Sequence, residues 1–415
     1  MIPVAEASAR IQARIAPLTA ETVATANAGG RVLAEPVVAP LTSPPWDNSS
    51  MDGYALLRAD IESGNGHAQL RVVEEIAAGK FPSRPIQHGE AMRVMTGAPI
   101  PSRADTVVRR EDTDDGRETV TIMKTRDAGK NIRRKGEDFH SGDTLFEAGD
   151  PLSIAHLGAL ASAGVKTVSV RRRPRVAIIS SGDELIELDD FTPELAGTRI
   201  VSSNSLTLAA LVRDAGGEPL DMGIARDDPA DLRDRLAAAR GADLIVTSAG
   251  ISVGDHDHVR DVFAELGGVL DFWKVRMRPG APLAFGTLGG TPWIGLSGNP
   301  VSAIVTFEVF VRPAIRGMLG FRSVFRRTIS AKLAHPMTLA APLMHFIRVV
   351  VTRDAEGEYV AQLSGSQSSS VLTAMARANA LLILPGDRLE LAAGETYRAL
   401  PIGDALDVTE ELVLE

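Results

Sequence analysis

The sequence predicts a multidomain chain of the α/β plus β class, built around a doubly wound, mostly parallel α/β domain. From residue 175 onward, apolar runs of strand length alternate with segments of helical periodicity, which is typical of parallel strands covered on both faces by helices. Between residues 47 and 138, short alternating runs broken by Gly, Pro and Asp indicate a small antiparallel β domain. From about residue 326 the β pattern returns, so a second small β domain is expected at the C-terminal end.

Composition excludes several classes of protein. The chain has 415 residues, of which 44% are hydrophobic and 23% are charged, the ordinary balance of globular proteins with two to four domains. The net charge of −9 argues against nucleic acid as a partner. The absence of cysteine excludes disulfides, Cys-based zinc sites and thiol catalysis, and it fits a reducing cytoplasm, the predicted location. No run of about 18 apolar residues is present, so no membrane span is expected.

The N-terminal region is predicted to begin with a helix over residues 4–16, where apolar residues recur at spacings of three and four. A proline-rich extended passage follows over residues 36–45. A helix and then a strand are expected within residues 151–170, and the Arg-Arg-Arg-Pro sequence at 171–174 indicates a domain boundary.

The antiparallel β domain is expected to hold strands at residues 54–57, 70–73, 91–95, 106–110 and 119–123. Three of its motifs, at residues 50–54, 95–101 and 131–138, place acids, a hydroxyl and bases in tight turns. Each motif alone is more often a turn or a solvated face than a site. The basic run at 124–135 could face an anionic ligand or could simply be solvated.

Four loops follow the strands of the α/β domain and carry small or acidic residues, at 181–184, 226–228, 249–257 and 297–300. Because the carboxyl ends of parallel strands meet at one edge of a sheet, these loops are expected to converge on a ligand. The helices that follow have recognisable caps. We expect Ser203-Asn204, Asp228-Pro229, Asn299-Pro300 and Ser370 to begin helices.

The stretch at 243–259 is the most informative of these strand ends. A buried strand gives way to Ser248, Ala249 and Gly250 and then to an acidic, His-containing cluster. Free N–H groups at a helix start favour an anion, and neighbouring carboxylates would repel it unless a cation lies between them. Carboxylates suit Mg²⁺ bound together with substrate phosphates. The alternative is an ordinary strand-to-helix turn with Asp as the cap.

Other chemistries find less support. The His-Asp-His sequence at 256–258 is a weak transition-metal candidate, because residues two apart do not share a helix face. Nucleophile-elbow, Walker A and GxGxxG motifs are absent, which argues against acyl transfer, P-loop chemistry and classical dinucleotide binding. The segment 273–280 places three cations just past a strand, which suits phosphate or an oxyanion such as molybdate, or else a solvated strand end.

Ten motifs occur in order along the chain: PLTAETV, GRVLAEPVVAP, DNSSMDGYA, VMTGAPIP, NIRRKGED, SSGDEL, TSAGISVGDHD, FWKVRMRPG, GLSGNPVSA and MARANALLILP. Together they resemble the molybdopterin molybdenumtransferase (MoeA) family, which is related to the E domain of gephyrin. The resemblance implies insertion of molybdenum from molybdate into adenylylated molybdopterin, with Mg²⁺ and release of AMP, as the last step of molybdenum cofactor biosynthesis. It also implies a MogA-like adenylyltransferase and apo-molybdoenzymes as protein partners.

The resemblance further implies a homodimer of elongated four-domain subunits. The active cleft would lie between the molybdopterin-binding, MogA-like α/β domain of one subunit and the inserted β domain of the other. The expected domains are a linker and dimerisation domain (1–46 and 139–174), the inserted β domain (47–138), the α/β domain (175–325) and a barrel-like C-terminal β domain (326–415).

Matching by motif assigns roles to individual positions. The expected catalytic residues are Asp52, Thr96, Asp138, Glu184, Lys274 and Arg278. The expected binding residues are Ser181, Gly182, Asp183, Ser248, Gly250, Ser252, Gly254, Gly298, Asn299 and Pro300. The expected magnesium ligands are Glu184, Asp227, Asp228 and Asp257.

The sequence departs from the family's pattern at four places. Ala249 stands where glycine is usual, Ser297 where proline is usual, and Arg278 and Ala281 where lysines are usual. The lost cation at Ala281 favours an alternative function, a non-catalytic paralogue that holds molybdopterin or the finished cofactor. The retained acids favour the enzyme. A homologue that inserts tungstate is a second alternative.

Overall fold

The computed structural model describes residues 1–62, 67–250, 259–403 and 406. Ser252, Gly254 and Asp257, three of the predicted site residues, lie outside the described residues. The chain divides into two compact units. Unit 1 comprises residues 1–21, 30–32 and 171–415, and unit 2 comprises residues 22–29 and 33–170.

The first part of the chain contains α1 (Val4–Gln12), β1 (Ala20–Ala24), β2 (Val37–Val38), β3 (Asn48–Ser49), β4 (Gly53–Leu56), α2 (Arg58–Glu62), β5 (Ala68–Ile76), β6 (Glu90–Val94), β7 (Thr106–Arg109), β8 (Thr119–Ile122), β9 (Ile132–Arg133), β10 (Thr144–Phe146), α3 (Ile154–Ser162) and β11 (Thr167–Arg171). The middle part contains β12 (Arg175–Ser181), β13 (Leu185–Ile186), β14 (Ile200–Val201), α4 (Ser203–Asp214), β15 (Glu218–Ala225), α5 (Pro229–Ala238), β16 (Leu244–Ser248), α6 (Val259–Glu265), β17 (Val269–Trp273), β18 (Met277–Arg278), β19 (Ala284–Leu288), β20 (Thr291–Leu296), α7 (Pro300–Thr306) and α8 (Arg312–Met318). The last part contains β21 (Ile329–Leu333), β22 (Met337–Thr338), β23 (Met344–Arg353), β24 (Tyr359–Leu363), α9 (Leu372–Arg377), β25 (Ala380–Leu384), β26 (Glu390–Leu391) and β27 (Thr396–Pro401).

Unit 2 is organised around a five-stranded sheet with the order β7-β4-β6-β5-β8. The five strands predicted from the sequence are present. The expectation of a wholly antiparallel sheet is wrong at one pair, because β5 and β6 run parallel. Residues 77–89 join these two strands, and a connection of a dozen or so residues is long enough to carry the chain back to a parallel start.

Strand β4, an interior strand of this sheet, is fully buried. Tyr54 and Leu56 pack into one core, and Ala55 packs into another on the opposite face. At Gly53 a Cβ atom would lie 2.0 Å from the Val108 carbonyl oxygen, so no side chain fits there. This close approach fixes the start of β4 and therefore the position of Asp52 immediately before it.

The main sheet of unit 1 has six strands in the order β15-β12-β16-β20-β19-β17. Strands β15, β12, β16 and β20 are parallel, whereas β19 runs antiparallel to both of its neighbours. The predicted mostly parallel sheet is therefore confirmed. From β12 the chain goes first to one side, to β15, and then to the other, to β16. The space between the ends of β12 and β16 is the topological switch point, where open α/β sheets bind ligands.

Helices cover both faces of this sheet, as the continuous apolar strands require. Leu208 of α4 and Val305 of α7 belong to one core cluster, which also receives Ala7 and Ile11 from α1. On the other face, α5 and α6 pack with buried Leu236 and Phe263.

Two of the four predicted helix caps are confirmed at the expected residue. The Asp228 carboxylate accepts from the Asp231 amide at 3.2 Å, and Pro229 is the first residue of α5. Asn299 is at the N-cap position before Pro300, although its side chain makes no capping bond. The continuous helix that follows contains a π-helical turn, Phe307–Val311, between α7 and α8.

The other two caps differ from the prediction. Ser202, not Ser203 or Asn204, is at the N-cap position of α4, and the Asn204 side chain faces away into hydrogen bonds with other loops. Val371 occupies the N-cap position of α9, while the Ser370 hydroxyl pairs with that of Ser368 at 3.1 Å. In both regions side-chain hydrogen bonds to sequence-distant or loop partners outweigh the local capping preference.

The C-terminal part of unit 1 is a closed five-stranded barrel. Its strands follow the order β23-β24-β21-β27-β25, and the pairing of β25 with β23 completes the ring. Outside the ring, β18 pairs with β23 so that Arg278 lies opposite His345. The cationic segment after β17 is therefore held against the barrel. No helix within the described part of the chain has both the length and the hydrophobicity needed to span a bilayer.

A bidentate ion pair joins the starts of β12 and β16. Arg172 donates from Nη1 and Nη2 to the two carboxylate oxygens of Asp243, each at 2.6 Å, and the Arg175 amide donates to the same carboxylate at 2.8 Å. Burial opposes the charge on Asp243, but these hydrogen bonds outweigh it and hold the pKa of Asp243 below its ordinary value.

Replacing Asp243 with Asn is expected to lower the free energy of unfolding by about 1–2 kcal/mol at neutral pH, because two charge-assisted bonds are lost. The contribution is present above the ordinary carboxyl pKa of about 4 and is lost as pH falls through the lower pKa of the folded state. Urea unfolding of both proteins between about pH 3 and 7 measures it. The control is Glu265→Gln, which breaks an exposed pair with Arg233 and is expected to cost less than about 1 kcal/mol. Equal losses in the two variants would contradict the prediction.

Candidate functional site

The carboxyl ends of the parallel strands open into a cavity of about 610 Å³. Three of the four predicted loops contribute to its lining. The lining includes Ser181, Glu184, Ser202, Ser203, Asn204, Ser248, Ala249, Gly250, Ser297, Gly298, Asn299 and Pro300. The strand register explains the convergence, since Ser180 lies opposite Ser248, and Ser248 lies opposite Leu296.

The fourth loop, 226–228, lies beside the cavity rather than in its lining. It is tied to the first loop by two hydrogen bonds. The Asp227 amide donates to Asp183 Oδ1 at 3.2 Å, and the Gly182 amide donates to the Ala225 carbonyl at 3.1 Å. Asp183, Glu184 and Asp227 are all exposed, so this rim of the cavity is acidic.

The predicted metal ligands are only partly assembled by the described residues. The Asp228 carboxylate is occupied in capping α5, which argues against it as a ligand. Among the described residues, no group of three or more His, Asp or Glu side chains could hold a metal ion. Mg²⁺, however, is usually held by one or two carboxylates together with substrate phosphates and water. Glu184 and Asp227 fit that donor set.

Two glycines and one alanine shape the cavity floor. Gly250 has a φ of 72°, and a Cβ there would lie 2.2 Å from the Val259 side chain. A Cβ at Gly298 would lie 3.0 Å from the Ala249 Cβ. Ala249 itself has a φ of 80°, in the left-handed region that only glycine adopts without cost. The alanine noted from the sequence as a departure therefore occupies a position with glycine geometry.

Hydroxyl and amide groups form the wall of the cavity. Asn204 Nδ2 donates to Ser248 Oγ at 2.6 Å and to the Gly298 carbonyl at 2.9 Å. Beneath it, Ser205 Oγ lies 2.7 Å from Ser202 Oγ and 3.0 Å from Ser180 Oγ. From the sequence, Asn204 was predicted only to cap a helix. Its position in the first helical turn after a strand-end loop was the sequence signal that Asn204 belongs to the site.

The expected anion donors at the start of α7 are partly occupied. The Val301 amide donates to the Ser369 carbonyl at 3.2 Å, and the Asn299 amide contacts Ser297 Oγ at 3.3 Å. These N–H groups would have to exchange partners before they could bind a phosphate.

A second cavity, of about 720 Å³, adjoins the first and shares Pro282, Ser297 and Asn299 with it. Arg278 is exposed in its lining, whereas Lys274 lies outside the lining of both cavities. A third cavity, of about 380 Å³, shares Arg278 with the second and is lined by barrel residues.

Arg348, which the sequence analysis missed, lines this third cavity. Arg348 is only 1% exposed and has no carboxylate partner among the described residues. Nη2 donates to the carbonyls of Ser366 and Ser368 at 2.9 and 3.1 Å, while buried Nε has no partner there. Burial lowers the pKa of Arg348, but a guanidinium remains charged at neutral pH. An arginine within the apolar run 346–351 was the sequence signal.

In unit 2, Asp52 and Thr96 form a direct contact. The Thr96 amide and hydroxyl donate to Asp52 Oδ1 at 2.7 and 2.8 Å. These hydrogen bonds, with help from the charges of Arg110 and Arg93, hold the pKa of Asp52 below its ordinary value. Asp52 is therefore an exposed, ionised carboxylate with a fixed orientation.

Asp138, also in unit 2, is exposed, and within the described residues its side chain bonds to neither Asp52 nor Thr96. Part of the neighbouring basic run has a structural role. Arg126 pairs with buried Asp112 and Arg134 with Asp47. These contacts favour the solvated, structural interpretation of that run over an anion site.

Comparison with known proteins agrees with this architecture. The chain is 41% identical over 384 residues to molybdopterin molybdenumtransferase 2 of Mycobacterium tuberculosis, covering 90% of this chain and 93% of that protein. It is 35% identical over 420 residues to molybdopterin molybdenumtransferase of Staphylococcus aureus, covering 100% of this chain and 98% of the other. The chain belongs to the MoeA family.

Regional family models and a solved structure agree with that membership. The MoeA N-terminal region (domain I and II) matches residues 2–164, a probable molybdopterin binding domain matches 177–317, and the MoeA C-terminal region (domain IV) matches 330–402. The crystal structure of the molybdopterin biosynthesis MoeA protein from Pyrococcus horikoshii OT3 superposes with a TM-score of 0.81 at 27% identity, covering 97% of this chain and 100% of that one.

Replacing Ala249 with Gly is expected to raise the free energy of unfolding by about 1 kcal/mol, because the strain of a left-handed alanine outweighs the greater chain entropy of glycine. Chemical denaturation measures the change. Ala210→Gly, at an exposed position in the interior of α4, is the matched control and is expected to lower stability by about 0.5–1 kcal/mol. A loss of stability in both variants would show that Ala249 is not strained.

Proposed function

We propose that this MoeA-family chain is a molybdopterin molybdenumtransferase, which inserts molybdenum from molybdate into adenylylated molybdopterin and releases AMP. The observation that carries the proposal is the cavity at the switch point of the α/β sheet together with the second cavity that adjoins it. The first is within the size range of small-molecule sites and has a polar wall. The second holds an exposed arginine, as an oxyanion requires.

The reaction consumes one water at the phosphoanhydride. There a new P–O bond forms to the water oxygen, the bridging P–O bond breaks, and two phosphate monoesters, AMP and the pterin phosphate, remain with the protons of the water passing to them or to solvent. At molybdenum, the two thiol groups of the pterin form Mo–S bonds and one oxide of molybdate leaves as water with the two thiol protons, so the metal keeps its oxidation state. We propose that Glu184 and Asp227 hold Mg²⁺, with Asp257 as a further ligand outside the described residues. When bound, Mg²⁺ would neutralise charge on the anhydride oxygens. The pterin and nucleotide would be surrounded by residues of the strand-end loops: Ser181, Gly182, Asp183, Ser248, Gly250, Gly298, Asn299 and Pro300.

Molybdate is proposed to bind at Arg278, which lines the third cavity together with Arg348. Buried Arg348 lacks a counter-charge among the described residues, and burial makes an unpaired charge costly, so an oxyanion nearby would relieve that cost. Lys274 is a weaker candidate because it lies outside both cavities. Tungstate has the same charge and shape and would compete for the same site.

A role as carrier, without metal insertion, is the second candidate. Ala281 favours it, since among the described lining residues of the second cavity Arg278 is the one charged side chain. Loss of the second cation weakens attraction for a doubly charged oxyanion.

We also propose a homodimer in which Asp52, Thr96 and Asp138 reach the cavity of the partner subunit. These residues belong to unit 2, whereas the cavity residues belong to unit 1. The lowered pKa of Asp52 makes it a weak base, which suits charge stabilisation better than proton abstraction. A MogA-like adenylyltransferase would supply the substrate and apo-molybdoenzymes would take the product, in the cytoplasm.

With adenylylated molybdopterin and Mg²⁺, the protein is expected to release AMP only when molybdate is added. Glu184→Gln should lower turnover about 100-fold, because charge stabilisation at the anhydride is lost. Arg278→Gln should raise the molybdate concentration for half-maximal rate about tenfold, because one charge-assisted contact is lost. AMP is measured by chromatography, and reconstitution of an apo-molybdoenzyme tests the product.

Two exposed residues provide matched controls, Asp189→Asn for the acid and Arg377→Gln for the cation. Both lie outside the cavity linings and should leave the rates unchanged. Pterin binding without AMP release would favour the carrier. Full activity of Glu184→Gln at an unchanged melting temperature would remove that carboxylate from the mechanism.

Intersubunit complementation tests the shared cleft. Asp52→Asn and Glu184→Gln are each expected to be nearly inactive as pure homodimers. After subunit exchange, half of the dimers would contain one intact cleft of two, so about a quarter of wild-type activity should return. Light scattering tests whether the protein is a dimer, and a monomer at micromolar concentration would contradict the shared cleft. A dimeric mixture that stays inactive would show that both acids act from the same chain.

A further inference from the structure

Asn204 occupies a distinctive place in the first cavity. It lies in the first turn of α4, it is half-buried, and it belongs to the cavity lining. Neither the resemblance nor the strand-end loops assigned it a role. Its side chain reaches the ends of two strands, β16 through Ser248 and β20 through Gly298.

The orientation of the Asn204 amide is fixed by its partners. The Gly298 carbonyl can only accept a hydrogen bond, so the atom 2.9 Å from it must be the amide nitrogen. The second N–H of the same nitrogen is directed to Ser248 Oγ at 2.6 Å. Both protons are therefore used, and Oδ1 is left as a pure acceptor.

Among the described residues, Asn204 Oδ1 accepts no hydrogen bond, since both contacts of the side chain are made by Nδ2. The oxygen is also held firmly. A hydrogen bond of 2.7 Å between Ser202 Oγ and Ser205 Oγ stabilises the start of α4. The Gly298 backbone lies so near Ala249 that a Cβ at 298 would be 3.0 Å from the Ala249 Cβ. An amide flip would place an oxygen against the Gly298 carbonyl and would cost at least one hydrogen bond.

We infer that Asn204 Oδ1 is a specificity-determining acceptor that recognises an exocyclic amino group on a planar heterocycle in the first cavity. The inference rests on the proposed function, which brings two such groups to the protein, one on the pterin ring and one on adenine. A ring with a carbonyl at the same position would face the oxygen with a second acceptor, leaving both atoms unsatisfied.

Asn204 also acts as a positioning residue, since it joins the start of α4 to the end of β16 and to the loop after β20. Removing the whole amide should loosen the Gly298 loop and also remove the acceptor, whereas removing only the N–H donors should loosen the loop and keep the acceptor. Loss of positioning should lower the affinity for every probe, and loss of the acceptor should abolish the preference for the probe that carries an amino group. The two roles can therefore be measured separately.

Calorimetric titration with two pairs of probes tests the inference. AMP is compared with purine riboside 5′-monophosphate, which lacks the amino group, and pterin is compared with lumazine, which carries a carbonyl in its place. The wild-type protein is expected to prefer the amino-bearing member of one pair about fivefold to tenfold. The pair that shows the preference identifies whether the nucleotide or the pterin ring faces Asn204.

Asn204→Ala is expected to bind both members of that pair equally. Asn204→Asp keeps an acceptor and loses the donors, so every affinity should fall while the preference remains. Thr207→Ala, one turn further along α4 and outside the cavity lining, is the control and should match the wild type. The ratio of affinities within one variant does not depend on the folded fraction. If Asn204→Ala does not fold, Asn204→Gln, which displaces the oxygen by one methylene, is expected to lose the same preference.

A wild-type preference that survives in Asn204→Ala, or no wild-type preference in either pair, would overturn the inference. Binding of none of the four probes would overturn both the inference and the proposed function. A preference that depends on Asn204 in a protein without AMP release would uphold the inference and overturn only the proposed insertase activity.

Discussion

The candidate site depends on the hydrogen-bonded register of β12 with its two parallel neighbours. Ser181 lies opposite Ala225 on one side, and Ser180 lies opposite Ser248 on the other. Because the chain leaves β12 in one direction and returns on the opposite side, the loops after β12 and β16 diverge and leave a crevice between them. A slip of one residue in either pairing would turn the buried side chains toward the wrong face, so the apolar cores on both faces also preserve the site.

Much of this arrangement follows from local sequence. Small or acidic residues follow the strand end at each of the four loops, and parallel strands bring such loops to one edge, so the first cavity was predictable. Asn204 and Arg348 were not, because their roles depend on contacts with residues far away in sequence. Asn204 meets Gly298, and Arg348 meets Ser366 and Ser368, across distances along the chain that no periodicity encodes. Asp228 illustrates the opposite case, since its capping role was visible in the sequence and competes with its expected role as a ligand.

Backbone geometry explains why the departure at Ala249 is tolerated. The residue has a left-handed φ, yet its Cβ projects toward Gly298, which has no side chain of its own. A glycine at 298 therefore accommodates the methyl group at 249, and the strain remains a backbone cost alone. The same contact narrows the floor of the cavity beside Gly250. We therefore expect Ala249 to affect the stability of the protein and the depth of the cavity floor, because no functional group is lost when alanine replaces glycine.

The charges around the two cavities are separated in a way that bears on substrate orientation. Asp183, Glu184 and Asp227 lie on the rim after β12 and β15, Arg278 lies beyond the loop after β20, and neutral hydroxyl and amide groups lie between. An anhydride with its metal is attracted to the acidic rim, whereas a free oxyanion is repelled there and attracted to the arginine. A ligand that spans both cavities would then place its nucleotide phosphates, with their metal, at the acidic rim and its metal-accepting end near Arg278. In the proposed reaction, this separation would keep molybdate away from the magnesium carboxylates until the pterin joins the two sites.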